Sequence, residues 1–289
     1  MSDLLTPATI QATLAAHGLQ PSRALGQNFL ADPNTARRIV RHAGIEPGDH
    51  VVEVGPGLGS LTLALLEAGA SVTAVELDRH LVPALAANLP ADAPVEIVVA
   101  DALTVDWDVL LAPRTRVAMV ANLPYNVATP VVIRALETAT RIDRALVMVQ
   151  REVGERLAAG PGSKAYGAVS VKVAYFAHAA VVGIVPPTVF IPQPKVDSAL
   201  VKLVRHATPP VAVADPDRMF ALVRAGFATR RKMLRQSLRP VLGASTVAIL
   251  DAAAIVPTQR AETLVLDDWA RLADSARLAS VEQVRRVET

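Results

Sequence analysis

Two short segments carry residue types that could bind a nucleoside and present an amine to a second reactant. The first is Glu53-Val54-Gly55-Pro56-Gly57-Leu58-Gly59, placed at the end of one apolar run and ahead of a helical pattern. Glycines there permit a tight turn and let a ligand approach the N-terminus of the helix that follows. A dinucleotide fingerprint reads GxGxxG, but here the third glycine falls one residue early, at Gly59, and position 60 is serine. Gly55 and Gly57 therefore suit a nucleoside-type cofactor lacking a pyrophosphate better than NAD; the plain alternative is a tight turn without a ligand. Glu76 closes the next apolar run, 21 residues after Gly55, where a carboxylate can accept from both ribose hydroxyls. Asp101, after the run VEIVVA, is placed to accept from the exocyclic amine of the cofactor's base. Without the glycine turn, either acid reads equally well as a helix cap or a solvated charge.

The second segment is Asn122-Leu123-Pro124-Tyr125. An exocyclic amine on a nucleobase is a poor nucleophile because its lone pair is delocalised into the ring. The Asn122 side-chain carbonyl, with the backbone carbonyl of Leu123 or Pro124, can hold the amine hydrogens and turn the lone pair toward a methyl donor. The rigid proline keeps both acceptors aimed. Tyr125 then stacks on the base by its ring face. Asn-x-Pro also initiates turns, which leaves the aromatic residue unexplained. Only ten residues of the chain are aromatic, and a second one, Phe190, lies in the proline-flanked PPTVFIPQPKVDS, where it reads as another stacking face for an extruded base or as a core plug.

These residues need a scaffold that brings strand ends together. From His50 the chain alternates apolar runs with amphipathic ones: VVEVG, a helix from about Ser60 to Ala68, SVTAVEL, a helix through Leu89, then VEIVVA, VAMVAN and ALVMVQ. Such alternation implies parallel pairing through right-handed crossovers, an α/β fold with a doubly wound, mostly parallel sheet of Rossmann-like type. AAVVGIV and SALVKLV follow with no comparable helix between them and are expected to close the sheet antiparallel. Ahead of all this, Thr6, Pro7 and Gly18 bound a first helix, and RALGQNFLAD reads as irregular. The domains expected are 1–205 for catalysis, with 1–49 a helical and irregular extension, a linker at 206–214, and a small all-α domain at 215–289.

Composition narrows the classes. With 52% hydrophobic and 19% charged residues among 289, the chain can bury a core, and wholesale disorder is excluded. Cysteine is absent, which removes disulfides, thiolate zinc sites and thiol nucleophiles. The six histidines lack ligand spacing, so no metal is expected. No secretory signal pattern or membrane-length apolar run is read, so a cytoplasmic, monomeric protein is expected. Net charge is only +2, yet Arg218 to Leu250 holds seven basic residues and no acid. On one helix, Arg224, Arg231 and Arg235 would form a stripe edged by Lys232 and Arg239, with Gly226 a candidate break. The apolar stripe Phe220, Val223, Phe227, Leu234 and Leu238 would seat it on the catalytic domain. The basic stripe suits RNA phosphates; its bland reading is a solvated face.

GQNFL, VEVGPGLGSLT, AVELD, ADAL, NLPY, VFIPQPKVDSAL, AGFATRRKMLRQSL and RAETL occur in that order from about Leu25 to Leu266, and together they resemble the ribosomal RNA adenine dimethyltransferases, most closely the bacterial small-subunit branch. The resemblance implies S-adenosylmethionine as donor and cofactor contacts at Asn28, Leu30, Gly55, Glu76, Asp101 and Asn122. It further implies N6-dimethylation of two adjacent adenosines near the 3′ end of 16S rRNA during small-subunit biogenesis. The chain departs from the family at NVATP after Tyr125 and in lacking a basic residue after Gly167. Three other readings compete: methylation of large-subunit RNA giving antibiotic resistance, a non-catalytic RNA-binding assembly factor, and a dinucleotide-dependent oxidoreductase.

Overall fold

The computed structural model describes residues 4–112 and 114–287, with side chains through residue 279. The chain divides into two compact units, one made of the residues up to Ala158 with Ala177–Arg205, the other of Ala159–Phe176 with the residues from His206 onward.

In the first unit, valine-rich runs become strands β2 (His50–Val54), β3 (Ser71–Glu76), β4 (Val95–Val99), β5 (Val117–Asn122) and β6 (Ile142–Gln150). They pair in parallel in the order β4-β3-β2-β5-β6. Two antiparallel strands complete the sheet: β9 (Ser198–Arg205) beside β6, and β7 (Ala177–Val185) outside it. The expected antiparallel closure is thus present. The chain runs outward from β2 to β4 and then returns to β5 on the other side of β2. This switch of direction opens a crevice at the carboxyl ends of β2 and β5, where such sheets bind ligands.

The helices of this unit are α1 (Pro7–Ala16), α2 (Pro33–Ala43), α3 (Ser60–Glu67), α4 (Val82–Asn88), α5 (Trp107–Leu110), α6 (Ala128–Thr138) and α7 (Arg151–Leu157). Thr6 caps α1 in a reciprocal box with Thr9. The segment read as irregular contains a strand, β1 (Phe29–Leu30), which pairs antiparallel with β8 (Phe190–Ile191). Directly after it comes α2, started by the Asp32 side chain accepting from Thr35 N and ended by Gly44 at φ 65°. Its buried Ala36, Ile39, Val40 and Ala43 join a core shared with Val51, Val72 and Leu146.

The second unit is helical: α8 (Ala168–Phe176), α9 (Pro216–Ala228), α10 (Leu234–Ser237), α11 (Arg239–Leu242), α12 (Thr246–Ala252) and α13 (Leu266–Val287). Residues 159–176, expected in the catalytic domain, belong here instead: Tyr166, Val171 and Tyr175 share the core of Phe220, Val223, Leu234, Leu238 and Trp269. The apolar stripe expected to seat this region on the catalytic domain therefore fills the unit's own interior. Gly226 does not break the helix; a Cβ there would lie 2.6 Å from the Trp269 ring, so the glycine allows α9 to pass close to that indole. The break falls at 229–233. Arg224 on α9, Arg231 and Lys232 in the turn, Arg235 on α10 and Arg239 on α11 are all exposed, but they do not share one helix.

Candidate active site

The glycine turn continues β2 into α3. Gly55, Gly57 and Gly59 have φ of 69°, 59° and 95°, a left-handed region that a side chain resists. Space adds a second constraint, since a Cβ on Gly57 would stand 3.0 Å from the Phe29 ring and one on Gly59 would stand 2.9 Å from Leu85 Cδ1. A cavity opens over this turn, lined by Asn28, Phe29, Leu30, Gly55, Gly57, Glu76, Asp101, Asn122, Leu123, Pro124 and Tyr125 among others. The cavity thus gathers the sequence-expected residues of the four strand ends and the N-terminal segment.

Glu76, 6% exposed at the end of β3, accepts from Gly57 N at 3.1 Å through one oxygen and from Asp78 N at 2.8 Å through the other. The carboxylate is held by the very loops that frame the cavity. Burial pushes its pKa up, and these amide bonds pull it back. Asp101 is half-buried and fixed by Leu103 N at 2.8 Å. Leu30 is buried with its carbonyl accepting from Ser60 Oγ at 2.5 Å.

Asn122, the last residue of β5, donates through Nδ2 to the Asn28 carbonyl at 3.1 Å. That bond orients the amide and leaves Oδ1 as an acceptor with no partner among the described residues. Leu123 N is tied to Met148 O at 3.1 Å, and Pro124 O accepts from Val127 N at 3.1 Å. No hydrogen bond to the Leu123 carbonyl is made among the described residues. The sequence left the second acceptor open between Leu123 and Pro124; the hydrogen-bond pattern favours Leu123. Tyr125 follows, half-buried at the cavity wall.

Phe190 is a correction. Its ring is 3% exposed, lies in the core beside β1 with Leu30 as its ladder partner, and does not line the cavity. A covered ring offers no face to a base, so in this structure Phe190 is a packing residue.

Sequence reasoning missed Glu53 and Gln27. Gln27 Nε2 donates to Asp78 Oδ2 at 2.9 Å, tying the N-terminal segment to the loop after Glu76. Glu53, 1% exposed at the cavity floor, accepts from Thr62 Oγ1 at 2.6 Å. Burial pushes its carboxyl up to about 8, the Thr62 bond opposing this and the Glu76 charge adding to it. Its folded pKa is raised above the unfolded value, so its contribution to stability is present at acid pH and lost as pH climbs through about 8. Glu53→Gln keeps an acceptor for Thr62 and removes the charge. Its thermal midpoint should therefore gain on wild type progressively between about pH 5 and about pH 9. A gap constant across that range in differential scanning calorimetry would contradict a neutral Glu53.

No helix among the described residues is long and apolar enough to cross a membrane, and no group of three or more His, Asp or Glu side chains is placed to hold a metal.

Comparisons with known proteins show the family. A family model described as ribosomal RNA adenine dimethylase matches residues 19–277. The ribosomal RNA small subunit methyltransferase A of Leifsonia xyli subsp. xyli is 50% identical, covering 93% of this chain and 98% of its own, and the protein of the same name from Thermobifida fusca is 49% identical, covering 94% and 96%. Among solved structures, the 23S rRNA methyltransferase ErmE aligns with a TM-score of 0.65 at 29% identity over 86% of this chain and all of that one. A dimethyladenosine transferase from Plasmodium falciparum aligns with a TM-score of 0.69 at 24% identity over 84% and 95%, a likeness of fold. With the family match spanning most of the chain and the curated relatives near half identical over almost their full length, this chain is an enzyme of the ribosomal RNA adenine dimethylase family.

Proposed function

We propose that the enzyme uses S-adenosylmethionine to dimethylate N6 of two adjacent adenosines near the 3′ end of 16S rRNA, on a precursor of the small ribosomal subunit in the cytoplasm. The observation that carries this reading is the corner at Asn122 to Tyr125, where Oδ1 of Asn122 and the Leu123 carbonyl are left as acceptors beside a half-buried aromatic ring. Two features support the donor in this cavity: left-handed glycines leave no room for side chains at Gly57 and Gly59, and the strand-end carboxylates of Glu76 and Asp101 line it as acceptors for hydroxyl and amine donors. Glu76 would hold the ribose, Asp101 the adenine amine, and Asn28, Leu30, Gly55 and Gly57 the walls.

When bound, S-adenosylmethionine supplies an electrophilic methyl group whose bond to sulfur breaks as the new bond to nitrogen forms. The protein's own part is positioning and electrostatics. In the first transfer Asn122 Oδ1 and the Leu123 carbonyl each accept one hydrogen of the target amine, which draws the lone pair out of conjugation with the ring; in the second, the methylated amine has a single hydrogen left, and one of the two acceptors holds it. Pro124 holds the corner rigid, and Tyr125 lies against the base. The proton released from the methylated amine passes to water.

Relatives bearing a small-subunit name stand near 50% identity, against 29% for the 23S enzyme, which supports the small-subunit substrate over the large. Labelled donor offered with both RNAs tests this choice, and preferential labelling of 23S rRNA would overturn it.

RNA contact is assigned to the exposed Arg224, Arg231, Lys232, Arg235 and Arg239. Two other cations of the run are occupied: Arg218 donates to Ala276 O at 2.9 Å, and Arg230 to the carbonyls of Lys164 and Tyr166 at 2.8 Å each. None of the five makes an ion pair among the described residues. Reversing Arg231 and Arg235 to Glu should weaken RNA binding and flatten its salt slope by up to about 0.7–0.9 per lost phosphate contact. Donor affinity should stay the same. A filter-binding titration with wild-type affinity and slope would return these residues to a solvated surface.

A further inference from the structure

Tyr125 is held at its far end as well as through the backbone. Its hydroxyl lies 2.8 Å from Ser198 Oγ, across 73 residues of sequence. Ser198 is fully buried and opens β9. Because β9 runs antiparallel to β6, its first residue arrives at the carboxyl end of β6, level with Gln150 and beside the crevice. The backbone there has little freedom: Ser198 is paired with Gln150 of β6 on one side and with Val185 of β7 on the other. The next residue, Ala199, is pressed by α7, where a Cβ on Gly154 would come within 2.7 Å of its own. Burial pushes the Tyr125 hydroxyl pKa up, with the Ser198 bond opposing, so the phenol stays protonated and hydrogen-bonded at neutral pH.

A partly exposed aromatic side chain fixed only at Cβ changes rotamer on a picosecond-to-nanosecond scale. A hydrogen bond at the para position fixes the direction of the ring axis. Ser198, locked between two strands, is a rigid point from which to do so. We propose that Ser198 is a positioning residue for methyl transfer, holding the Tyr125 hydroxyl so that the ring stands ready as the face on which the target adenine lies. The inference rests on Tyr125 being that face. It also adds the hydroxyl to the ring face as a requirement at position 125, since a phenylalanine there would strand the buried Ser198 hydroxyl.

Four variants, Ser198→Ala, Tyr125→Phe, the double variant and Tyr125→Ala, are to be compared by single-turnover methyl transfer to small-subunit particles at saturating donor. Each of the first two should slow transfer by about 3- to 10-fold, the scale of one hydrogen bond. The double variant should be no slower than the slower single one, because both changes delete the same bond. Donor affinity by calorimetry should be unchanged in Ser198→Ala, whose side chain does not line the cavity. A residue that merely stabilises the fold would lower the thermal midpoint and leave the saturating rate alone. Ser198→Ala at the wild-type rate, or losses that multiply in the double variant, would overturn the proposal. Should Ser198→Ala fail to fold, Tyr125→Phe reads the same bond from the cavity side, and a wild-type rate there is equally fatal. Tyr125→Ala separates the two levels: if it transfers at the wild-type rate, the stacking role of Tyr125 falls, whereas a slow Tyr125→Ala beside an unaffected Ser198→Ala removes Ser198 alone.

Discussion

Asn122→Ala is expected to lower the single-turnover rate of methyl transfer by about 10²–10³, the scale seen when one preorganised hydrogen-bonding group is removed from an active site. The geometry explains why the loss should fall on rate. Asn122 Nδ2 is committed to the Asn28 carbonyl, so the side chain is already oriented before substrate arrives, and Oδ1 is the atom left to take a hydrogen of the amine. Alanine removes that acceptor and releases the Asn28 carbonyl together. Because Asn28 also lines the cavity, donor affinity should fall modestly as well, which is why the rate must be read at saturating donor. A near wild-type rate under that condition would show that Asn122 does not position the amine.

Glu76→Ala is expected to weaken S-adenosylmethionine binding by about 1.5–3 kcal/mol, the range for hydrogen bonds to a charged group. The carboxylate accepts one backbone amide at each oxygen and keeps acceptor capacity on both toward the cavity, so the two ribose hydroxyls can be met by one rigid group. The substitution also frees Gly57 N and Asp78 N, which places the loss on both walls of the cavity. Calorimetry decides the matter, and an unchanged dissociation constant would remove Glu76 from the ribose.

What could be read from the sequence depended on how local the cause was. The parallel strands were legible because valine-rich runs ending in Gly55, Glu76 and Asn122 carry both the element and the chemistry within a few residues. The antiparallel closure was legible because no helix longer than the three-residue 3-10 helix Pro187–Val189 separates β7 from β9. The β1–β8 pair escaped because two-residue strands have no periodicity, and its partner strands lie 160 residues apart along the ladder from Leu30 to Phe190. Of the two readings of Phe190, stacking face or core plug, the second matches the structure for the same long-range reason: the ladder to Leu30 buries it. For α2 the signals are Asp32-Pro33 at its start and Gly44 at its end, inside the extension 1–49 that was expected to be helical and irregular. Gly226 suggested a helix break because intrinsic propensity was weighed without Trp269, whose ring needs the space. Ser198 was invisible at position 125 because only the register of β9 on β6 brings it there.

The most direct test of the central claim is primer extension on small-subunit RNA after incubation with enzyme and S-adenosylmethionine, since dimethylation at N6 blocks the pairing edge of adenine. The expected result is a strong stop at two adjacent adenosines near the 3′ end of 16S rRNA, dependent on donor and lost with Asn122→Ala. Extension through that site under conditions where the donor is consumed, or stops that persist at full strength with Asn122→Ala, would contradict it.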